Sequence, residues 1–390
     1  MERIGDELRP QPGSPPAVQI EVRVPREDRY PIAIAAGSTV QVAAELARRT
    51  GAERHVVLTD QNVARLHLRR LLDGYPRAGL TTPEVLIVPP GEGSKTLEQF
   101  SELLERLAAM GFDRRGLLVC FGGGVISDLG GFVASAYMRG VRYANVPTTL
   151  IGQLDASVGG KVAVDSPRAK NLFGAFHHPA AVLIDPRLLG TLGARDFRSG
   201  IAEAIKVGVI ASPQLFTRLR DGVDRLAAGD VGELTAVVHE AARIKMELIA
   251  RDPYEEDLRR PLNFGHTLGH PIETDRAYVG VRHGEAVAIG MAVATHLALA
   301  RGTIAAADAR AILDLLEDFD LADPVGPVDG PGAVQRLAEI RMIRGGVLNF
   351  VLPRGIGQVE IVEDLDDREL LDAFERRERA LDVPRAEVRA

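Results

Sequence analysis

The segment LNFGHTLGHPIE, residues 262–273, sets His266 and His270 four residues apart where a loop-like run becomes helical. Four residues is about one turn, so both imidazoles project from one helical face. The pair suits a divalent metal or proton transfer, and suits equally a helix surface with no chemistry. GIAEAIKVG places Glu203 and Lys206 three apart on a face otherwise lined with small or apolar residues. A carboxylate and an ammonium there are costly to bury unless paired or ligated. RHGEAVAIGM adds His283 at the start of a helix. Glu203, His266 and His283 together compose a His2Glu set, the donor chemistry of a catalytic zinc that keeps a position open for substrate. His270 would then be a further imidazole near the metal, suited to moving protons or holding an anion. Each histidine taken singly also reads as a cap or surface residue.

A second kind of chemistry is signalled by FGGGVISDLGGFVAS, where Gly122, Gly123 and Gly124 fall between a strand and a helix. Backbone N–H groups there can approach an anion at the helix N-terminus. The segment is neither the G-x-G-x-x-G fingerprint nor a P-loop, so a dinucleotide or phosphate site and a plain tight turn both fit. Asp128 suits a hydrogen bond from a ribose or a nicotinamide amide, or the place of a first-turn carboxylate favoured by the helix dipole. DASVGGKVAVDSPRAKNLFGAFHHP supplies Asp155, Lys161, Lys170 and Asn171 in what reads as a loop, folded around a ligand or lying on the surface. His177 and His178, before a proline, read as turn residues. Cys120 reads as a small buried strand residue.

The elements that must position these groups show two rhythms. From about residue 30 to 190, HVVLTD, EVLIVPP, GLLVCFGGG, YANVPTT and AVLIDP read as buried strands, separated by helical patterns such as TVQVAAELARRTG and KTLEQFSELLERLAAMGF. That alternation predicts a mainly parallel sheet covered by helices, with ligands beyond the carboxyl ends of the strands. From about 191 onward FRSGIAEAIKVGVI, LTAVVHEAARIKMELIA, GEAVAIGMAVATHLALARG and AAADARAILDLLEDF read as helices, and LNFVLP as a lone strand. The expected plan is a disordered lead-in at 1–28, an α/β domain at 29–190 and a mostly helical metal- and substrate-binding domain at 191–390, with a cleft between them.

Composition narrows the class. The chain has 390 residues, 46% hydrophobic and 26% charged, with a formal net charge of −7. An acidic balance disfavours nucleic acid. No uninterrupted apolar stretch approaches the ~20 residues that span a bilayer, so no membrane partner is expected. The charged, proline-rich start lacks the apolar core of a secretory signal, and the expected location is the cytoplasm. One cysteine excludes an internal disulfide framework and a cysteine-based zinc site.

Taken in order, GGGVISDLGGFVAS, VPTTLIGQLDASVGGK, KNLFGAFHHPAAVLID, GIAEAIKVG and LNFGHTLGH…RHGEAV closely resemble 3-dehydroquinate synthase and its relatives, the sugar-phosphate cyclases, over about residues 30–365. The resemblance implies an NAD-binding α/β domain, a helical metal-binding domain and a homodimer. It implies Glu203, His266 and His283 as ligands of Zn2+, with Co2+ an acceptable substitute. Asp60, Asn62, Glu92, Lys95, Gly123, Gly124, Val125, Asp128, Thr148 and Thr149 match NAD contacts, with Lys161 and Lys170 beside them. Asp155, Lys161, Lys170, Asn171, Lys206, Lys245, Arg259, Asn263 and His270 match substrate positions, and Arg139 matches an arginine reaching the neighbouring subunit's site. The implied chemistry oxidises a ring carbinol, eliminates phosphate, returns the hydride and closes a carbocycle by aldol addition, with Lys161, Asn263 and His270 on the phosphate.

Lys245 and Arg259 occupy positions that hold a carboxylate, so the leading expectation is a 3-dehydroquinate synthase acting on 3-deoxy-arabino-heptulosonate 7-phosphate, with a sedoheptulose 7-phosphate cyclase as the alternative. Three departures favour sedoheptulose 7-phosphate instead: EIRMIRGGVLNFVLP where the family has an Asp-Lys-Lys stretch, KVAVDSPRAKN in the lysine loop, and the N-terminal extension. Arg341 or Arg344 would replace the missing phosphate-binding lysine. A metal-dependent NAD alcohol dehydrogenase shares the two-domain plan but needs no anion clamp.

Overall fold

The computed structural model describes residues 29–381 apart from 167–168, 255–259, 276–279, 327 and 344–347. Six strands form one parallel sheet: β1 (Ile32–Ile34), β2 (His55–Asp60), β3 (Glu84–Val88), β4 (Leu117–Gly122), β5 (Arg142–Pro147) and β8 (Ala181–Ile184), in the order β1-β8-β5-β4-β2-β3. The central strand β4, LLVCFG, is buried at every position. Near-continuous apolar runs are what a parallel sheet needs when helices cover both faces. Cys120 lies there, fully enclosed. Helices α1 (Val42–Thr50), α2 (Leu97–Ala109) and α3 (Gly124–Ala136) flank these strands. Thr96 caps α2 by accepting from the Gln99 N–H, which stops the helix from running back into the loop that bears Glu92 and Lys95.

The stretch read as a loop at 155–179 is corrected by the structure. Lys161–Ser166 (β6) and Ala169–Phe176 (β7) pair antiparallel, with Lys161 opposite Phe176 and Val164 opposite Phe173. Val162 and Val164 join the apolar cluster under the helix layer while Lys161 is exposed, and the pairing shifts register before Ser166. The two histidines that follow are also more than turn residues. His177 stacks on Tyr143 and pairs with the Val141 carbonyl, and His178 stacks on Tyr30.

The second half is helical: α4 (Ala194–Ala211), α5 (Val231–Ile249), α6 (His266–Asp275), α7 (His283–Ala300), α8 (Ala306–Asp318), α9 (Gly330–Ile343) and α10 (Asp367–Leu381) are its main helices. The LNFVLP run is not alone: Phe350–Gly355 (β9) pairs with Gln358–Val362 (β10) across a tight turn. Among the described residues α7 is the one helix long and apolar enough to cross a bilayer, and most of it is enclosed by its neighbours. The largest apolar core joins both halves, since Leu150, Leu154, Val182 and Ile184 of the sheet region pack with Ile201, Ile205, Val287 and Met291 of the helices.

Candidate active site

Three helices deliver one donor each to a single point. Glu203 lies midway along α4, His266 opens α6 and His283 opens α7. Glycines next to the imidazoles permit this crowding. Gly265, at φ +78, holds a backbone conformation that side chains disfavour, and a Cβ there would sit 2.6 Å from the Val287 carbonyl oxygen. A Cβ on Gly284 would sit 1.9 Å from the Ser199 carbonyl oxygen of α4. The Gly284 N–H instead donates to Ser199 Oγ at 2.9 Å, pinning the start of α7 against α4.

Glu203 Oε1 stands 3.5 Å from His266 Nε2 and 3.4 Å from His283 Nε2. The three donors fall within 4.8 Å of one another. Glu203 is fully buried and neither carboxylate oxygen has a hydrogen-bond partner, although the Lys206 ammonium lies 2.5 Å from Oε2. Burial opposes its ionisation, yet Lys206, His266 and His283 hold the carboxyl well below the usual range. Burial and then the Lys206 charge push His266 down to about 4, which leaves a lone pair for a metal. Burial acts the same way on His283, but Glu273 and Glu203 prevail and bring it up to about 9. A buried, ionised carboxylate with one oxygen facing two imidazole nitrogens fits a divalent cation. The His270 ring centroid lies 5.3 Å from that of His266 and 5.9 Å from that of His283, and its side chain opens outward.

Cations gather beside this point. Lys245 Nζ is 2.6 Å from Asp155 Oδ1, on the turn that precedes β6. Lys161 opens outward, but the protein around its ammonium and the charges of Lys245 and Arg260 push it down to about 7. Asn263 ends the short turn Pro261–Asn263 that leads into α6. Arg259 and Arg344 lie outside the described residues, and of Arg341 only its place on α9 is described. Arg139 sits in the short turn just beyond the C-terminal end of α3, at φ 65.

At the carboxyl ends of the strands the dinucleotide candidates come together. Asp60 ends β2 and accepts from the Asn62 and Val63 N–H groups. Gly123 and Gly124 join β4 to α3, with Val125 in the first turn, and a Cβ on Gly123 would lie 2.9 Å from Thr149 Cγ2, so a side chain would fill the gap beside Thr148 and Thr149. Lys95 is buried with Asp128 at 2.9 Å, Glu92 at 3.2 Å and Asp165 at 3.8 Å. Asp128 is thus a partner of Lys95, and it lies one turn into α3 rather than in the first turn, where the helix dipole would favour it. Asn171, expected with the substrate groups, accepts from Lys95. Lys170 Nζ lies 2.7 Å from Glu273 Oε1 and 3.5 Å from Glu92 Oε1. Asp165 and Glu273 were missed in the sequence. Glu273 had a signal, since it follows His266 by seven residues and so shares its face.

Known proteins resemble this chain along most of its length. Residues 85–199 match the family described as 3-dehydroquinate synthase N-terminal, and residues 200–340 the family described as 3-dehydroquinate synthase C-terminal. The chain is 45% identical to a 2-epi-valiolone synthase from Actinosynnema mirum, over 96% of its own length and 98% of that protein's. It is 39% identical to a 3-dehydroquinate synthase from Desulforamulus reducens, over 88% of its length and 95% of that protein's. Its fold matches the 2-epi-5-epi-valiolone synthase from Streptomyces hygroscopicus, solved with NAD+ and Zn2+ bound, with a TM-score of 0.87 and 30% identity over 93% of this chain and 100% of that one.

Proposed function

The chain belongs to the 3-dehydroquinate synthase family of sugar-phosphate cyclases, and from that membership we propose that it cyclises sedoheptulose 7-phosphate to a valiolone-type cyclitol, using NAD and Zn2+ or Co2+. The observation that carries the substrate is the 45% identity with a 2-epi-valiolone synthase along 96% of the chain, which extends beyond the family matches at 85–340.

When bound, the metal would supply Lewis acidity to a ring hydroxyl, and NAD would take and return a hydride. Glu203, His266 and His283 hold the metal, and Lys206 keeps Glu203 ionised from 2.5 Å away. Asp60, Asn62, Glu92, Lys95, Gly123, Gly124, Val125, Asp128, Thr148, Thr149 and Lys170 hold NAD. Lys161, Asn263 and His270 donate to the substrate phosphate, while Asp155, Asn171 and Lys206 orient the sugar. An arriving dianion restores the charge that its neighbours strip from Lys161. Holding one intermediate between the sheet and the helices gives the later bond-forming step its proximity advantage. The working unit is read as a cytoplasmic homodimer in which Arg139 serves the partner's site.

A second reading, 3-dehydroquinate synthase acting on 3-deoxy-arabino-heptulosonate 7-phosphate, is supported by the 39% identical relative and by the Lys245 position. Phosphate release by the purified protein with NAD+ and Co2+ separates the two. Turnover of sedoheptulose 7-phosphate alone is expected; turnover of the heptulosonate alone establishes the second reading. NAD-dependent alcohol oxidation without phosphate release would point to a dehydrogenase, for which the anion-binding Lys161 has no use.

A further inference from the structure

Glu273 has no place in the expected ligand or substrate sets, yet it is among the most enclosed carboxylates in the protein, 3% exposed. One oxygen accepts from His283 Nδ1 at 2.9 Å, while the other accepts from Lys170 Nζ at 2.7 Å. His283 Nε2 faces Glu203 at 3.4 Å. Lys170, carried on β7, also stands 3.5 Å from Glu92, which in turn lies 3.2 Å from Lys95. An unbroken polar chain therefore runs from the cofactor-side loop through the hairpin to a metal donor. A carboxylate on the outer nitrogen of a ligating histidine fixes its tautomer and ring plane and makes the inner nitrogen a better donor.

We propose that Glu273 is a positioning residue: it presents His283 Nε2 to the metal and, through Lys170, ties that imidazole to the Glu92 loop, so that the cofactor side and the metal side are set by one connected group. The proposal rests on the Glu203–His266–His283 reading above. Lys170 neutralises Glu273 from the side opposite His283, and the three groups would be strained apart if the hairpin moved away from α6.

The test uses the full-length protein, stripped of metal and titrated with Co2+ against a competing chelator, with the Co2+ d–d spectrum as a second readout. Wild type should bind Co2+ in a manner that Glu203→Ala abolishes; failure there removes the metal reading and this proposal together. Glu273→Gln should bind Co2+ about ten- to a hundredfold more weakly with an altered d–d spectrum. Lys170→Met should weaken it severalfold, Lys170→Arg should restore it, and the double variant should be no worse than Glu273→Gln alone. Wild-type affinity and spectrum in Glu273→Gln overturn the positioning role, and strict additivity in the double variant overturns the link through Lys170. If circular dichroism shows Glu273→Gln unfolded, Lys170→Met decides: unchanged Co2+ affinity and spectrum overturn the proposal.

Discussion

Glu203 brings an ionised carboxylate into the interior, where it is tolerable because Lys206 and two imidazoles surround it. Replacing it with glutamine removes the charge while keeping the shape. Glu203→Gln should therefore lose Co2+ affinity by about a hundredfold or more, read by chelator competition, and still fold. Retained tight binding would place the metal elsewhere. Lys161 carries a pH dependence of definite sign. Its ammonium is pushed down to about 7 in the free protein, so charge is present below that pH and lost as pH rises through it. Sulfate stays a dianion across this range and serves as the probe. Its affinity, measured by calorimetry, should fall from pH 6 to 8.5 in wild type and stay nearly flat in Lys161→Arg, whose guanidinium remains charged. The residue types needed for both sites were legible in the chain, because carboxylate, imidazole and ammonium chemistry travels with the side chain.

The helices α4, α6 and α7 decide how those side chains meet, and their contact depends on missing methyl groups. Gly284→Ala places a Cβ against the Ser199 carbonyl, where the gap is 1.9 Å, and α7 must shift. Overpacking of this kind costs about 3 kcal/mol at the upper end of its usual range. Calorimetry should show a lower Tm, and Co2+ binding should weaken as His283 moves. A variant with both properties unchanged would mean that α7 is not held by this contact. The helices themselves were readable from apolar spacing over long windows, as were the five main strands of the sheet. The β6–β7 hairpin was not, because β7 interrupts any alternation with the exposed Leu172, Phe173 and Phe176 and the pairing skips a residue before Ser166. The late β9 strand looked solitary because its partner QVEIV carries charge within its run, and only the tight turn between them made the pair.

Across the whole molecule, the largest apolar core is shared by the sheet region and the helical region. Leu150 is fully enclosed, and α4 approaches it closely enough that a Cβ on Gly200 would fall 2.4 Å from its own Cβ. Leu150→Ala should destabilise the protein by about 2–5 kcal/mol. Because that largest core spans both regions, near-ultraviolet and far-ultraviolet circular dichroism should follow one coincident thermal transition at a reduced Tm. Two separated transitions would show that the halves unfold independently. What the chain by itself determined was the inventory: parallel strands ending in glycine-rich and acidic turns, helices afterwards, and donors of the right chemistry on each. Such features follow from neighbours a few residues apart, through side-chain periodicity and backbone preference. Only the tertiary structure decided that His266 and His283 face Glu203 while His270 opens outward, that Asn171 pairs with Lys95, and that Glu273 stands behind His283. Those relations join residues from 10 to 80 positions apart, and they depend on how closely helices can pack, which no local spacing records.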